Sequence, residues 1–221
     1  MKFTFYGHAC FQIQTEENKL LFDPFLTGNE NAAITPDKVE CDHLLISHAH
    51  ADHFGDAVPI AERTGAKVIA IPEIIRSLPN AITNVNPMNI GGTYEGPFGQ
   101  VKMVQAVHSS GIAGGVPIGF IILFNEGKTL YFGGDTGLFG DMKLYGDLYN
   151  IDYAVLPIGG KYTLDPEQAL IAAKFLRAKT IIPIHYNTWD VIQQDPEKLK
   201  KAGEKEGIEV RIIQPGESMM L

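Results

Sequence analysis

Residues 48–53, HAHADH, follow the apolar run HLLIS and place three of the chain's seven histidines and an aspartate within six positions. A short apolar run is what a buried strand needs, but the residues after it cannot all join a core. His48, His50 and His53 are spaced too tightly, with flanks too polar, for every one of them to be a satisfied interior residue. Neutral imidazole suits Zn, Fe and other borderline metals. The segment therefore fixes one point of the fold: a buried strand that ends in a metal-binding turn.

Around that point the sequence alternates between strand and helix patterns. KFTFY and CFQIQ read as strands that lead through the polar turn TEEN to KLLFDPFL. A helix is expected from about residue 56 to 63, stopped by Gly65, followed by a strand in KVIAI and a short helix in PEIIRSL. Residues 80–99 are rich in Gly, Pro and Asn and read as loop with at most one short strand. QVKMVQAVHSS is a strand, and IGFIILF and TLYFGGD form a hairpin about the turn NEGK. YAVLPI and TIIPIHY are further strands, and IEVRII closes the pattern. Of the two helices that begin Asp-Pro, DPEQALIAAKFLRA is the clearer: Asp165 can cap it, Pro166 suits its first turn, and Gln168 completes a capping box. No break in composition marks a linker, so one domain over residues 1–221 is expected. The architecture is layered α/β, with sheets packed on each other and helices outside.

Composition narrows the function by exclusion. With 45% hydrophobic and 20% charged residues the chain can bury a sizeable core. A formal charge of −8 argues against a nucleic-acid partner. It does not exclude a small anionic substrate, because a bound metal can dominate the local field. No apolar run reaches membrane-spanning length and the N-terminus has no signal-peptide block, so a cytoplasmic protein with no membrane partner is expected. Cys10 and Cys41 form no CxxC motif and read as buried, reduced thiols.

Four more polar residues stand where apolar strands end: Asp23 after KLLF, His108 after KMVQAV, Asp135 after LYFGG and His185 after TIIPI. Ligands converge on strand ends that face one side of a layered fold. The turn can point His48 and His50 to one ion, which His108 completes. Asp52 and His53 then face a second ion together with His185, and the two oxygens of Asp135 suit a bridge. Such a site leaves positions open for water, as catalytic rather than structural metal sites do. His43 has no comparable position and reads as a core residue.

His-x-His-x-Asp-His, a strand-end histidine, the aspartate of GGDTG and the histidine of PIHYNTW together resemble the metallo-β-lactamase superfamily. The resemblance implies a four-layer αββα sandwich with the active site at one edge of its two sheets. YGHACFQI, LLFDPFLTGN and PIHYNTW are similar to short stand-alone metal-dependent hydrolases related to L-ascorbate-6-phosphate lactonase. Other branches fit less well: one carries cysteine in place of Asp135, and the di-iron branch has glutamate in place of His50. The resemblance implies a hydrolase with two divalent ions, Zn or Mn with Fe also compatible. Its metal-bound hydroxide would act on a small ester, lactone or phosphoester. Asp52 and Asp135 would orient the nucleophile, and His8, which the branch places near the metal mouth, is a catalytic candidate. Asp23 is a candidate anchor for a ligand histidine or else a turn former before Pro24. Lys161, Tyr162 and Thr163 lie on another strand-end loop, where bordering the pocket is the alternative to the favoured reading of a solvated loop, and Trp189 reads as packing beside the site. Rival expectations are an iron-dependent oxidoreductase on the same ligands and a non-catalytic metal-binding protein. The sequence leaves the oligomeric state open, and a homo-oligomer is compatible with it.

Overall fold

A computed structural model describes residues 1–221. The first sheet draws on Lys2–Gly7 (β1), Cys10–Gln14 (β2), Lys19–Phe22 (β3), His43–Leu45 (β4), Lys67–Ala70 (β5) and Val85–Pro87 (β6). The second uses Thr93–Gly96 (β7), Gly99–Gln105 (β8), Ile118–Phe124 (β9), Thr129–Phe132 (β10), Tyr153–Pro157 (β11), Thr180–Ile184 (β12) and Glu209–Val210 (β13). The last strand, Ser218–Met220 (β14), returns to the first sheet and pairs antiparallel with β1. Strand order is β14-β1-β2-β3-β4-β5-β6 in one sheet and β13-β12-β11-β10-β9-β8-β7 in the other.

The sheets face each other across an aromatic core. Phe11 stacks on Phe3 and Phe22, at centroid distances of 5.0 and 4.3 Å, and Phe132 of the opposite sheet meets Phe11 and Phe22 edge-on at 5.1 and 5.5 Å. Edge-to-face pairing suits the ring quadrupole and locks the two sheets in one register. Helices Ala57–Thr64 (after the single turn Ala51–Phe54) and Pro72–Ser77 cover the first sheet, burying Ala57, Ile60, Ala61 and Ile74. Met142–Leu148, Pro166–Leu176 and Pro196–Glu206 flank the second. In order these six are α1 to α6. α5 buries Ala169, Ala172, Ala173 and Leu176, one stripe at helical spacing. The result is the αββα sandwich, with small side chains letting α5 lie close on its sheet.

Several local expectations need correction. Residues 80–99 hold two short strands, β6 and β7, one at the edge of each sheet. Their Gly, Pro and Asn content suits edges rather than strand centres, which hid them. The helix α4 was unanticipated because its short sequence, MKLYGDL, contains a glycine. β14 was missed because SMM is too short for a period to register. The capping box of α5 is half made: Asp165 accepts from the Gln168 amide at 2.8 Å, with no reciprocal bond from the Gln168 side chain.

Both thiols are buried. Burial pushes Cys41 up to about 11, against the opposing hydrogen bond with Thr64. Burial, then the charges of Asp23 and Asp56, hold Cys10 well above the ordinary thiol range. Thiolate is the reactive form, so at pH 8 an aromatic disulfide reagent is expected to label neither cysteine in the native protein and both after denaturation. Rapid labelling of the native chain would contradict this packing.

Candidate metal centre

The strand directions bring His8, Asp23, the HAHADH turn, His108, Asp135 and His185 to one end of the sandwich. β3, β4 and β5 run parallel, so Asp23 and the turn after β4 leave the first sheet at the same end. β2 runs antiparallel to β3, and β1 to β2, which puts the β1–β2 turn with His8 there too. In the second sheet β10, β11 and β12 are parallel, and β8 shares their direction because β9 opposes both. His108, Asp135 and His185 follow β8, β10 and β12. Three backbone bonds stitch the sheets together at this end: Ile118 to Ser47 (3.1 Å), Ala49 to Ser110 (2.8 Å) and His185 to His8 (2.7 Å).

Two groups of donors result. His48, His50 and His108 present ring nitrogens within 4.8 Å of one another, and so do His8, Asp52, His53 and His185 through ring nitrogens and a carboxylate oxygen. Asp135 lies between the groups, 3.2 Å from His53 Nε2, 3.2 Å from His185 Nε2 and 3.5 Å from His108 Nε2. His53 Nε2, His185 Nε2 and Asp135 Oδ1 are fully buried without a hydrogen-bond partner. Buried polar atoms are ordinarily satisfied, and here three orphans converge on one point. The chemistry of the set, imidazole with carboxylate and no thiolate, fits divalent Zn, Mn or Fe. The residues present therefore fit two cations.

A further group, Asp23 with His48 and His53, also has the proximity of a ligand set, but its oxygens are already committed. Asp23 Oδ1 accepts the Ser47 amide at 2.8 Å, and Oδ2 accepts the Ser47 hydroxyl at 2.5 Å and His53 Nδ1–H at 2.7 Å. Because the Ser47 hydroxyl donates to the carboxylate, its lone pair is left to accept from His48 Nδ1–H at 2.9 Å. Both histidines then point Nε2 inward, His48 toward His50 (2.9 Å) and His53 toward Asp135 (3.2 Å), the nitrogen each can turn to a metal. Asp23 thus orients one histidine of each group. Of the two sequence readings of Asp23, the anchor is the one its contacts match. Ser47 was missed, although its place directly before His48 at a strand end was the available signal.

Electrostatics follow the geometry. Burial, then the neighbouring imidazoles, lowers His48 to about 2, and burial with His185 lowers His8 to about 4. His53 and His185 move the other way: burial opposes their charge, but Asp135 overcomes it, raising His185 to about 9 and, with Asp23, His53 well above its usual value. Asp52 and Asp135 are held well below the carboxylate range by these imidazoles, despite burial.

His8 adopts φ +56° and is pinned by Thr188 Oγ1 at Nδ1 (2.8 Å) and by Asp52 Oδ2 at Nε2 (3.3 Å). Thr188 was not singled out from sequence. His43 lies away from both groups, against Phe98 and near Tyr94, as a core histidine. In the loop of Lys161, Tyr162 and Thr163 the first two are exposed as expected, and Thr163 is buried. Leu164 donates to the carbonyl of Thr136, beside Asp135, and a Cβ on Gly159 would stand 2.7 Å from the His185 carbonyl. Gly134 (φ +57°) passes so close to Ser47 that a Cβ there would meet its side chain at 2.8 Å. Glycine at this position lets Asp135 reach the cluster.

Comparison with known proteins agrees. Residues 18–186 match the model of the beta-lactamase superfamily domain. A UPF0173 metal-dependent hydrolase of Natranaerobius thermophilus is 43% identical over 220 residues, covering 99% of each chain. A second, from Carboxydothermus hydrogenoformans, is 44% identical over the full length of both. Igni18, a metallo hydrolase from Ignicoccus hospitalis, superposes with a TM-score of 0.91 at 40% identity, covering 99% of this chain and 97% of its own. No helix is long and apolar enough to cross a membrane.

Removing the anchor tests its role. Replacing Asp23 with Asn leaves His53 Nδ1–H without its charged acceptor, and losses of this kind cost roughly 10–100-fold in metal affinity. Zn competition against a chromogenic chelator should show a drop of that order for Asp23→Asn, with the fold retained by circular dichroism. Unchanged affinity would show that Asp23 serves the turn alone.

Proposed function

Starting from its membership of the metallo-β-lactamase superfamily, within the UPF0173 metal-dependent hydrolases, we propose that this chain acts as one domain that hydrolyses a small ester, lactone or phosphoester at a two-metal site. His48, His50 and His108 would hold one ion, Asp52, His53 and His185 the other, and Asp135 both. The observation that carries the reading is the convergence of unpartnered buried ring nitrogens on the Asp135 carboxylate. When bound, two such cations supply Lewis acidity that activates water and stabilises developing negative charge on oxygen.

The protein's own groups do the rest. Asp23 and Ser47 fix the rings of His53 and His48, so the ligand geometry is set before a metal arrives. Asp52 and Asp135 offer the carboxylate oxygens that orient the attacking water. His8 is one candidate for handling the proton at the leaving oxygen, through Nε2. Its other nitrogen is occupied by Thr188, which keeps the ring in place as the proton moves. His8 also shares a donor group with Asp52, His53 and His185, so its Nε2 stands at the edge of the second ion's site. Kinship with L-ascorbate-6-phosphate lactonase is the narrower part of this proposal, and it would direct the chemistry to a lactone.

Protein loaded with Zn or Mn is expected to carry two ions per chain by elemental analysis. His185→Ala should bring that toward one and lower hydrolysis by several orders of magnitude, as when a catalytic unit loses a member, while the control His43→Ala should keep both ions. Loss of metal in His43→Ala with two ions kept in His185→Ala would overturn the ligand set. An absorbance band that bleaches on reduction would instead mark the iron oxidoreductase.

A further inference from the structure

The rim of the site has a character that its floor does not explain. The floor is histidine and aspartate, yet most large side chains on the loops around it are aliphatic or aromatic. Trp189, four residues after His185, lays its ring 4.8 Å from His8 and 6.1 Å from Phe25 while remaining 40% exposed. Phe25 in turn meets His8 edge-on at 5.6 Å. Val107, directly before His108, is 44% exposed, and its amide donates to Thr136 beside Asp135. Tyr162, 56% exposed, tips the loop clamped between Thr136 and His185. Scattered exposed apolar residues are ordinary on a protein surface. Here they gather on the loops that carry the donor groups.

The same rim offers a phosphate group no arginine fork. Phosphate and carboxylate groups are held most specifically by the planar, bidentate fork of arginine. All four arginines of the chain are committed elsewhere at the surface: Arg63 to Glu40, Arg76 to Glu73, Arg177 to Asp147 and Arg211 to Glu209. Lys161, exposed on the Tyr162 loop, is the one cation in the rim segments described above, a solvated point charge without the fork.

We propose that the site takes a carboxylic ester or lactone whose apolar acyl portion rests on Trp189 and Phe25, rather than a phosphorylated substrate. The inference rests on the hydrolase reading above and narrows its substrate. Water oxygen bonds to the acyl carbon, the acyl C–O bond breaks, and the leaving oxygen takes the proton, giving a carboxylic acid and an alcohol, or a hydroxy acid from a lactone. No oxidant or co-substrate other than water is needed. His8, between Trp189 and Asp52, stands where the scissile bond passes from the aromatic wall to the polar floor. The reaction of the lactonase branch is retained and its phosphate group is not.

Trp189 is the chain's single tryptophan, so its emission reports occupancy of the wall whether or not turnover occurs. Zn-loaded protein is titrated with acetate, butyrate and hexanoate as product analogues, and with inorganic phosphate and phenyl phosphate. Burial of the added methylenes should tighten binding about fourfold each, with hexanoate above both phosphates. Calorimetry on Trp189→Ala should show acetate affinity and metal content kept and the dependence on chain length lost. A flat series, no carboxylate binding, or phosphates binding above hexanoate and weakened by Lys161→Ala would each overturn the proposal. Metal content of the same samples separates the two failures. Two bound ions with a flat series would sink the substrate class alone, whereas protein that takes up no metal would sink the hydrolase reading and this inference with it.

Discussion

One carboxylate holds the site together. Asp23, fully buried at the end of β3, spends its oxygens on the amide and hydroxyl of Ser47 and on the ring of His53. Through Ser47 it also sets the ring of His48. One residue of the first sheet thus orients a histidine in each of the two donor groups. A buried carboxylate is costly unless its hydrogen-bonding capacity is filled, and here the filling partners are the groups that need orienting. Asp23 takes up φ +39° to reach them, a conformation tolerated because the surrounding contacts fix it.

The rest of the sandwich serves that arrangement. Parallel strands β3 and β4 end together, so the anchor and the histidine turn emerge side by side, and β8, β10 and β12 deliver the other donors from across the aromatic core. Stacked and edge-on phenylalanines fix the spacing of the sheets, and the backbone bonds from Ile118, Ala49 and His185 close the gap at the site end. Gly134 permits a close approach between the sheets, against Ser47. Rigid elements therefore hold the donors, and the loops beyond them are left to shape what binds.

Much of this was legible in the residues. HAHADH marked a donor-rich turn because its spacing is incompatible with a core, and the strand-end positions of His108, Asp135 and His185 announced convergence because strand ends share a side. His43 was separable for the complementary reason: it begins β4 rather than following it. What stayed hidden was what only three dimensions supply. Ser47 and Thr188 are small polar residues of a kind found in any loop, and their work depends on contacts 24 and 180 positions away. The two edge strands in residues 80–99 carry too little hydrophobic periodicity to stand out, since an edge buries little. The loop of Lys161, Tyr162 and Thr163 reads as solvent-facing by composition, but lies between the strand ends that carry Asp135 and His185.

Seven side chains would then form a preformed socket for two cations, oriented by Asp23 and closed by Asp135. Anomalous diffraction from crystals grown with Zn, collected at its absorption edge, tests it most directly. Two peaks are expected, one among His48, His50 and His108 and the other among Asp52, His53 and His185, with Asp135 reaching both. A single peak, or zinc bound outside these residues, would contradict it.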